Sequence, residues 1–512
     1  MKRLLSVFLS LTVLIISVYC LSFSVSALSG VTGDCAWSLD GTVLTVSGNG
    51  KMGDFAEGDS SDRPWGNNLT EVIIKDGVTE VGAWAFYGNK TLKKLTVPDS
   101  VIRLNNGAFS ECSALCEVDL GENVEYIGEF TFGYCSSLKA FELPPKMKEV
   151  TGFSFLCSGI ESMYFHENIS VIDQVAFEGC ALKKIKFAGK KVDIAGCAFD
   201  YCMFLKEIDF GDGEISIYAN AFAGCESLEK IDLSSVVYLD GSVFPGCKSL
   251  KEVIIGDKLT KIGGFMECES LEEITFGKNV DTIKEMAFYG CKSLKKVTIN
   301  NNIKFVGYEA FMGCEALAEI NVGDYAINFG KDAIKDTAYY NDSSNWENGL
   351  LYLGRNLMAA SDNFGGSYSI KDGTLSVAGG VFEGFLSIVR LHIPESVVSI
   401  GANAFNNCYT LTNVYYGGSK EQWEELQKTF MDNGNASLLY AYVSYNTNEI
   451  PPFSGDLDGD ANITTGDLAV LKLVLAGMEE DTYEFYDQAD FNMDGTVNSS
   501  DLAEIKLYLA VT

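Results

Sequence analysis

Phenylalanine recurs along the chain at a nearly constant interval and marks a repeat. It occupies Phe86, Phe109, Phe132, Phe155, Phe177, Phe199, Phe222, Phe244, Phe265, Phe288 and Phe311, every 21 to 23 residues, and returns at Phe382 and Phe405. The repeating unit reads approximately Ala-Phe-x-x-Cys-x-x-Leu-x-x-Ile-x-Ile, and a Val-x-x-Ile-Gly segment follows about nine residues later. A period of this length is typical of a solenoid, in which each repeat forms one coil.

The end of each unit has the alternation of a short, half-buried strand. In a clear copy that begins at Ala287, we expect Leu294, Val297 and Ile299 to point inward and Thr298 to point outward. About six inward apolar side chains would contribute about 2 kcal/mol each. Ordering the coil costs about 1.5 kcal/mol per residue. A single coil is therefore unstable, and neighbouring coils must stack to share one core.

The pattern changes at both ends of the repeat region. Residues 28–70 alternate like a small N-terminal β cap, and residues 71–430 form the predicted solenoid. An irregular insertion interrupts the period at about 336–380, with a hairpin expected near 349–357. A cap helix is expected at about 419–430, followed by a linker over 431–454.

The repeat motif resembles the BspA-like, or Treponema-type, leucine-rich repeat family over residues 72–416. The resemblance implies a β-rich leucine-rich-repeat solenoid. It says little about function, because such families include adhesins, surface proteins and many other secreted proteins.

Two acidic twelve-residue loops, each followed by an apolar helix pattern, occupy the last part of the chain. The loop from Asp456 to Asp467 aligns without a gap to the loop from Asp490 to Asp501. Both have oxygen-bearing side chains at positions 1, 3, 5, 9 and 12, as in EF-hand calcium loops. Two carboxylates about 4 Å apart repel by about 4 kcal/mol at an effective dielectric near 20, so closing the loop requires a cation.

This duplicated loop and helix, over residues 455–512, closely resembles a type I dockerin, a small all-α domain that plugs into a cohesin module of a scaffoldin. The resemblance implies two calcium ions. Their ligands would be Asp456, Asp458, Asp460, Asn462, Thr464 and Asp467 in copy one, and Asp490, Asn492, Asp494, Thr496, Asn498 and Asp501 in copy two.

The resemblance also implies a cohesin-binding face on each copy. The corresponding residues are Thr465, Gly466, Lys472 and Leu473 in copy one, and Ser499, Ser500, Lys506 and Leu507 in copy two. Copy one departs from the family at Ala461, where the loop usually has glycine, and at Gly466, where a hydroxyl or a small apolar residue is common. The match between the copies suggests that a cohesin could bind in either of two orientations.

The N-terminus and the charge indicate where the chain works. Residues 1–27 read as a secretory signal peptide cleaved near Ala27, because a basic start precedes an apolar stretch and small residues. Removing Lys2 and Arg3 changes the formal net charge from −32 to −34, which disfavours nucleic acid as a partner. No later apolar run is long enough to span a membrane. We therefore expect an extracellular protein attached to the cell surface through a scaffoldin.

The cysteines follow the repeat and do not pair in an obvious way. Ten of them lie three residues after a repeat Phe: Cys112, Cys135, Cys180, Cys202, Cys225, Cys247, Cys268, Cys291, Cys314 and Cys408. This regular spacing favours a small buried side chain that fills one level of each coil. Disulfides between coils are the alternative. Zinc binding is disfavoured, since the chain has only two histidines and no Cys-x-x-Cys pair.

Candidate chemistry is sparse elsewhere. His166 and His392 are both expected at the surface, and no nucleophile or phosphate-loop motif accompanies them. The outward strand positions form the best candidate binding face: Thr96, Asp119, Glu142, Tyr164, Lys186, Asp209, Asp232, Ile254, Thr275, Thr298, Asn321, His392 and Tyr415. A protein or a soluble glycan would suit their mixed charges, although they could equally be solvated.

Together these features predict a secreted, non-catalytic component of a cellulosome-type system for polysaccharide degradation. The solenoid would be a protein-binding, glycan-binding or structural module, and the dockerin would attach it to a cohesin. One alternative is a secreted enzyme with its active site in the insertion at 336–380. Another is a host- or cell-surface adhesin that the dockerin only anchors.

Overall fold

The computed structural model describes residues 28–58, 62–300, 302–361 and 366–450, and in the C-terminal region 457, 464–476, 489, 491 and 497–511. The expected signal peptide at 1–27 lies outside these residues. None of the helices in the described ranges has the length and apolar character that a membrane span requires.

Strands dominate the described chain. The first half contains β1 (Leu28–Thr32), β2 (Cys35–Asp40), β3 (Val43–Gly48), β4 (Gly50–Lys51), β5 (Glu71–Ile74), β6 (Val78–Val81), β7 (Lys94–Thr96), β8 (Arg103–Leu104), β9 (Glu117–Asp119), β10 (Tyr126–Ile127), β11 (Glu149–Val150), β12 (Ser162–Phe165), β13 (Val171–Ile172), β14 (Lys184–Phe187), β15 (Lys191–Ile194), β16 (Glu207–Asp209), β17 (Glu214–Ile217), β18 (Lys230–Asp232) and β19 (Val236–Leu239).

The later strands are β20 (Glu252–Ile254), β21 (Lys261–Ile262), β22 (Glu273–Ile274), β23 (Thr282–Ile283), β24 (Lys296–Ile299), β25 (Phe305–Val306), β26 (Glu319–Val322), β27 (Asn328–Phe329), β28 (Trp346–Glu347), β29 (Leu350–Leu353), β30 (Asn356–Ala360), β31 (Gly366–Ser369), β32 (Ser376–Val377), β33 (Ile388–Ile393), β34 (Ser399–Ile400), β35 (Asn413–Tyr416) and β36 (Tyr442–Tyr445). The described helices are α1 (Ala338–Asn341), a 3₁₀ turn (Ser343–Asn345), α2 (Lys420–Gln427), α3 (Ala436–Tyr440), α4 (Thr465–Leu475) and α5 (Ser499–Val511).

The chain divides into two compact units. The first contains the described residues up to Val280 together with 286–298 and 313–317, and the second contains 281–285, 299–312 and the described residues from 318 onward.

In the first unit, a cap closes the N-terminal end of the sheet. Strands β1, β2 and β3 pair antiparallel, and β3 then pairs in parallel with β5, with Leu44 opposite Val72. The cap thereby satisfies the backbone groups of the first coil, which would otherwise form an open sheet edge. This confirms the predicted N-terminal β cap.

The repeats form parallel, in-register strands, as their alternation predicts. Across β5, β7 and β9, Val72 lies opposite Leu95, and Leu95 opposite Val118. In β14, Ile185 and Phe187 are buried, whereas Lys184 and Lys186 face solvent. Leu294, Val297 and Ile299 are likewise buried and Thr298 is exposed. The predicted leucine-rich-repeat solenoid is confirmed.

The repeat phenylalanines stack into a column through the first unit. From Phe86 to Phe288, successive rings lie 5.0 to 5.7 Å apart between centroids, with planes 1 to 11° from parallel. Each of these rings is completely buried. Since each coil contributes one ring, the column runs continuously through the core that the stacked coils share.

The backbone turns sharply on both sides of most repeat Phe residues. Around Phe222, Asn220 has φ 59° and Gly224 has φ 63°, so both adopt the left-handed conformation. Glycine occupies the second position in several coils, including Gly88, Gly246 and Gly290, because glycine adopts positive φ without steric cost. These two bends direct the ring into the core.

The second unit contains the insertion and a four-stranded parallel sheet of β31, β33, β35 and β36. Strands β29 and β30 form an antiparallel hairpin within the insertion. The expected linker began at residue 431, but α3 and β36 occupy its first half, and β36 pairs in parallel with β35, with Ser444 opposite Tyr415. The sheet therefore extends to Tyr445. This pairing satisfies backbone groups at a sheet edge that would otherwise be open. The composition of the segment alone did not reveal that it forms a strand.

Candidate calcium-binding and docking site

Helices α4 and α5 pack against each other through equivalent residues of the two C-terminal copies. Leu471 of α4 and Ile505 of α5 are completely buried, in one cluster with Leu457 and Ala489. Leu468 and Leu502, which also correspond between the copies, are packed against this cluster. The duplication in sequence is thus a duplication in structure, with a helical core of its own.

The acidic loop of copy one ends in a buried carboxylate that fixes the start of α4. Thr464 is the N-cap residue, and its Oγ1 accepts a hydrogen bond from the backbone N–H of Gly466 at 3.0 Å. The Asp467 carboxylate accepts the backbone N–H of Thr464 at 2.6 Å and that of Leu457 at 2.5 Å. Positions 2 and 9 of the loop are therefore held to position 12, in a capping-box arrangement.

Copy two repeats this geometry. The Asp501 carboxylate accepts the backbone N–H of Asn498 at 2.8 Å, and Asn498 Oδ1 accepts the backbone N–H of Ser500 at 2.7 Å. Asp467 and Asp501 are both completely buried. Two unrelated acidic turns would not share these contacts, so the two loops have a common conformation at positions 9 to 12.

The donor set at these positions suits calcium. Carboxylate and side-chain oxygens are the ligands this ion prefers, and a buried carboxylate needs compensation by hydrogen bonds or positive charge. At Asp467 and Asp501, backbone N–H groups and the positive end of a helix supply part of it. The remaining predicted ligands are outside the described residues: Asp456, Asp458, Asp460, Asn462, Asp490, Asn492, Asp494 and Thr496.

The predicted cohesin-facing residues lie on the two helices. Thr465, Lys472 and Leu473 are exposed on α4, and Gly466 is half-buried. In copy two, Ser499, Ser500 and Lys506 are exposed on α5, and Leu507 belongs to the same helix. Two pairs of equivalent positions are exposed in both copies, Thr465 with Ser499 and Lys472 with Lys506, and these are available for contact with a partner.

The outward strand positions form a less uniform face than the sequence predicted. Most are exposed or half-buried, but His392 and Tyr415 in the second unit are only 2% and 7% exposed. Charges on this face pair between neighbouring coils, as Lys186 does with Asp209 at 2.8 Å. Exposed pairs of this kind are screened by solvent and contribute little to stability, so they are compatible with a solvated face.

The expectation that His392 is a surface residue was wrong. Its Nδ1 lies 3.1 Å from Ser369 Oγ, and burial lowers its pKa, although backbone groups of Thr447 and Ile370 oppose this effect. The chain after β36 reaches Thr447, whose backbone N–H bonds Tyr416 O at 3.1 Å, so the sheet continues past the coil that carries His392. His166 is half-buried, with Nε2 3.0 Å from Pro144 O.

The cysteines have a role that the sequence did not reveal. Each of the ten repeat thiols lies within hydrogen-bonding distance of the carbonyl oxygen of the Phe in the preceding coil, for example Cys180 Sγ to Phe155 O at 2.9 Å and Cys202 Sγ to Phe177 O at 3.2 Å. Burial raises the pKa of the Cys135 thiol to about 12, so this group is a neutral donor. The fourteen described cysteines form no disulfide. The sequence indicated only that a small residue recurs at this position, and it did not indicate the hydrogen bond.

Comparisons with known proteins agree with this architecture. The family model described as the BspA type leucine rich repeat region (6 copies) matches residues 65–183, 170–266, 263–363 and 366–433, and the model of the dockerin type I domain matches residues 454–510. Neither family is a catalytic module. No curated protein matches the chain.

Several solved structures are similar to the chain. A leucine-rich repeat protein from Bacteroides ovatus is 20% identical, with a TM-score of 0.43, over 80% of this chain and 98% of that one. One from Eubacterium ventriosum is 20% identical, with a TM-score of 0.33, over 59% and 96%. A leucine rich cell surface protein from Faecalibacterium prausnitzii is 21% identical, with a TM-score of 0.29, over 78% and 98%.

The stacked coils, the phenylalanine column and the match over most of residues 65–433 agree with one another, as do the duplicated loops and the match over 454–510. The chain belongs to the BspA-type leucine-rich repeat family and carries at its C-terminal end a type I dockerin domain, a calcium-binding and cohesin-binding module.

Proposed function

We propose that this protein is an exported, non-catalytic component of a scaffoldin-based assembly, in which the dockerin is the plug and the solenoid is the cargo that recognises a protein or glycan. The dockerin holds two calcium ions through the twelve loop residues assigned above. A cohesin then binds the exposed contact residues of α4 or α5.

The equivalence of Asp467 and Asp501 is the observation that best supports this proposal. Both carboxylates are buried at the first turn of a helix and accept the backbone N–H of position 9. An ion bound by such a carboxylate would tie the acidic loop to the helix that carries the cohesin contacts. Calcium binding and docking are therefore coupled, because the loop and the contact face belong to one folded element.

Calorimetry with the full chain tests the calcium assignment. We expect two equivalents of calcium to bind the wild-type protein and about one to bind each of the single variants Asp467→Asn and Asp501→Asn. Asparagine keeps the size of the side chain but removes the charge that attracts the ion. Asp232→Asn, at an exposed position in the solenoid, is the matched control and should still bind two. Two equivalents in Asp501→Asn would contradict the assignment.

Binding to immobilised type I cohesin modules, with and without chelator, tests the docking role. We expect binding only in the presence of calcium, and no binding after removal of residues 455–512. Binding that persists in chelator would refute coupling between the ion and the contact face. A screen of the purified chain on plant polysaccharides and peptides tests the non-catalytic assignment, which turnover would overturn.

A further inference from the structure

The repeats permit a comparison of equivalent surface positions within this one chain. After each repeat Phe the chain makes a tight turn, and in the coil of Phe222 the second, fourth and fifth residues of the turn are Gly224, Glu226 and Ser227. The coil of Phe288 has Gly290, Lys292 and Ser293 there. The fold therefore accepts small or polar residues at all three positions.

The turn after Phe199 differs from these two coils at every one of the three positions. Tyr201, Met203 and Phe204 are 61%, 45% and 58% exposed. The backbone is the same, since Met203 N–H donates to Tyr201 O at 2.7 Å and Glu226 N–H donates to Gly224 O at 2.8 Å. Three large apolar side chains thus face solvent where the fold does not require them. Exposed clusters that contain Tyr, Met and Phe are typical of binding surfaces.

Tyr201 is also unfavourable for stability at its position. Its φ of 52° lies in the left-handed region, which costs a residue other than glycine about 1–2 kcal/mol. Its ring lies against Gly224, where a Cβ atom would come within 2.9 Å of Tyr201 Cδ1. A residue that is both strained and exposed does not contribute to the core, so stability does not explain its presence.

Two carboxylates border this turn. Asp200 directly precedes Tyr201, and Glu178 occupies the equivalent position in the neighbouring coil. Neither forms an ion pair within the part of the chain that the structure describes, whereas Glu226 pairs with Lys248 at 2.7 Å. Asp200 Oδ1 is buried and accepts no hydrogen bond from the described residues. Burial, followed by the charge of Glu178, raises the pKa of Asp200 to about 6. The two acids therefore repel each other, and no ion pair within the described residues offsets this repulsion.

We propose that Tyr201, Met203 and Phe204, together with Glu178 and Asp200, form a docking surface for a basic polypeptide segment in which Lys or Arg alternates with apolar residues. A cationic side chain would neutralise the two carboxylates and lie over the Tyr201 ring. Apolar side chains would cover Met203 and Phe204. The net charge of −32 on the whole chain would favour the approach of such a basic segment. This refines the recognition role proposed for the solenoid and is independent of the calcium-binding tail.

Selection from a phage-displayed random dodecapeptide library on the immobilised full chain tests the proposal. The triple variant Tyr201→Gly, Met203→Glu, Phe204→Ser reproduces the turn of the next coil, so it should fold at least as well as the wild-type protein. We expect the wild-type chain to enrich peptides that combine Lys or Arg with apolar residues. Once synthesised, these peptides should bind the triple variant at least about tenfold more weakly.

Two further variants distinguish the contribution of the two carboxylates to peptide binding from a general effect of removing an exposed aromatic side chain. Glu178→Gln with Asp200→Asn should weaken the same peptides by about tenfold or more. Tyr238→Ser, which removes another exposed tyrosine of the solenoid, should bind them normally. Thermal unfolding of every variant shows that the fold is retained.

Three outcomes would overturn the proposal. In the first, the selected peptides bind the triple variant as tightly as the wild-type chain. In the second, the selected peptides contain no excess of Lys or Arg. In the third, the triple variant changes only glycan binding or self-association of the protein and leaves peptide binding unchanged. Cohesin binding by the triple variant should be unchanged. Failure of the docking role and failure of this surface are therefore distinguishable.

Discussion

Replacing Phe199 by alanine should show how strongly the stability of the solenoid depends on the phenylalanine column. Phe199 is completely buried. Its ring stacks on Phe177 at 5.3 Å and on Phe222 at 5.1 Å, and it meets the edges of Phe165 and Phe187 at 6.0 and 6.4 Å. The substitution removes four aromatic contacts and leaves a cavity between two coils.

The size of the effect follows from these contacts. A buried Phe→Ala change costs about 3–5 kcal/mol of unfolding free energy, and aromatic pairs contribute about 0.5–1.5 kcal/mol each beyond the buried area. Because Phe199 has four aromatic neighbours, the Phe199→Ala change should lie at the upper end of the range for buried Phe→Ala changes, at about 5 kcal/mol of unfolding free energy. Phe204→Ala removes the same side chain from a position that is 58% exposed, and it should cost no more than about 1 kcal/mol.

Urea unfolding, followed by far-ultraviolet circular dichroism and by tryptophan fluorescence, measures both effects. The tryptophans lie toward the ends of the repeat region, at Trp37, Trp65, Trp84, Trp346 and Trp423. A solenoid is held together by contacts between neighbouring coils, so a weak central coil should uncouple its ends. The two probes should then give separate transitions in Phe199→Ala but coincident ones in Phe204→Ala. Equal, small shifts in both variants would refute the argument that the column holds neighbouring coils together.

The other predictions concern the tail, the thiols and one acid. Changing the four copy-two contact residues alone should leave cohesin affinity largely intact, because copy one presents the corresponding face; complete loss of binding would exclude two orientations. Thiol titration of denatured, unreduced protein should find about fourteen thiols, matching the described free cysteines, and a value near zero would overturn the unpaired assignment. The pKa of Asp200 is raised to about 6 from an ordinary 3.8, so the folded state binds the proton more tightly. Stability should therefore fall as pH rises from about 4 to about 6. Asp200→Asn should be more stable than the wild-type protein at pH 7 but not at pH 4, and an equal gain at both pH values would contradict the charge argument.

The period of the chain predicted much of the fold because each coil repeats the same local requirements. Leu294, Val297 and Ile299 point inward because a strand alternates its faces, and the Phe spacing corresponds to the length of one coil. In the tail, the spacing of oxygen-bearing residues predicted equivalent roles for Asp467 and Asp501, and the structure places both at equivalent helix starts. Where the pattern is local and repeated, periodicity alone is informative.

Contacts that depend on the neighbouring coil could not be predicted in this way. The alternation of β33 placed His392 on the outer face, yet its burial depends on how the chain continues beyond β36. The bond from Cys202 to the carbonyl of Phe177 joins residues of successive coils, and a recurrent cysteine could equally have been only a small filler. Neither outcome is encoded in the spacing around the residue itself.

The sequence by itself determined the coil length, the inward-facing residues and the duplicated acidic loops, because each depends on the spacing of residue types along a short segment. Only the tertiary structure decided where β36 extends the sheet, which outward positions are covered, and which acids beside Tyr201 form no ion pair among the described residues, because these depend on what the adjacent coil places within a few ångströms. When coils stack, residues about 22 positions apart in sequence become neighbours on the surface. Burial and charge pairing are set across that distance.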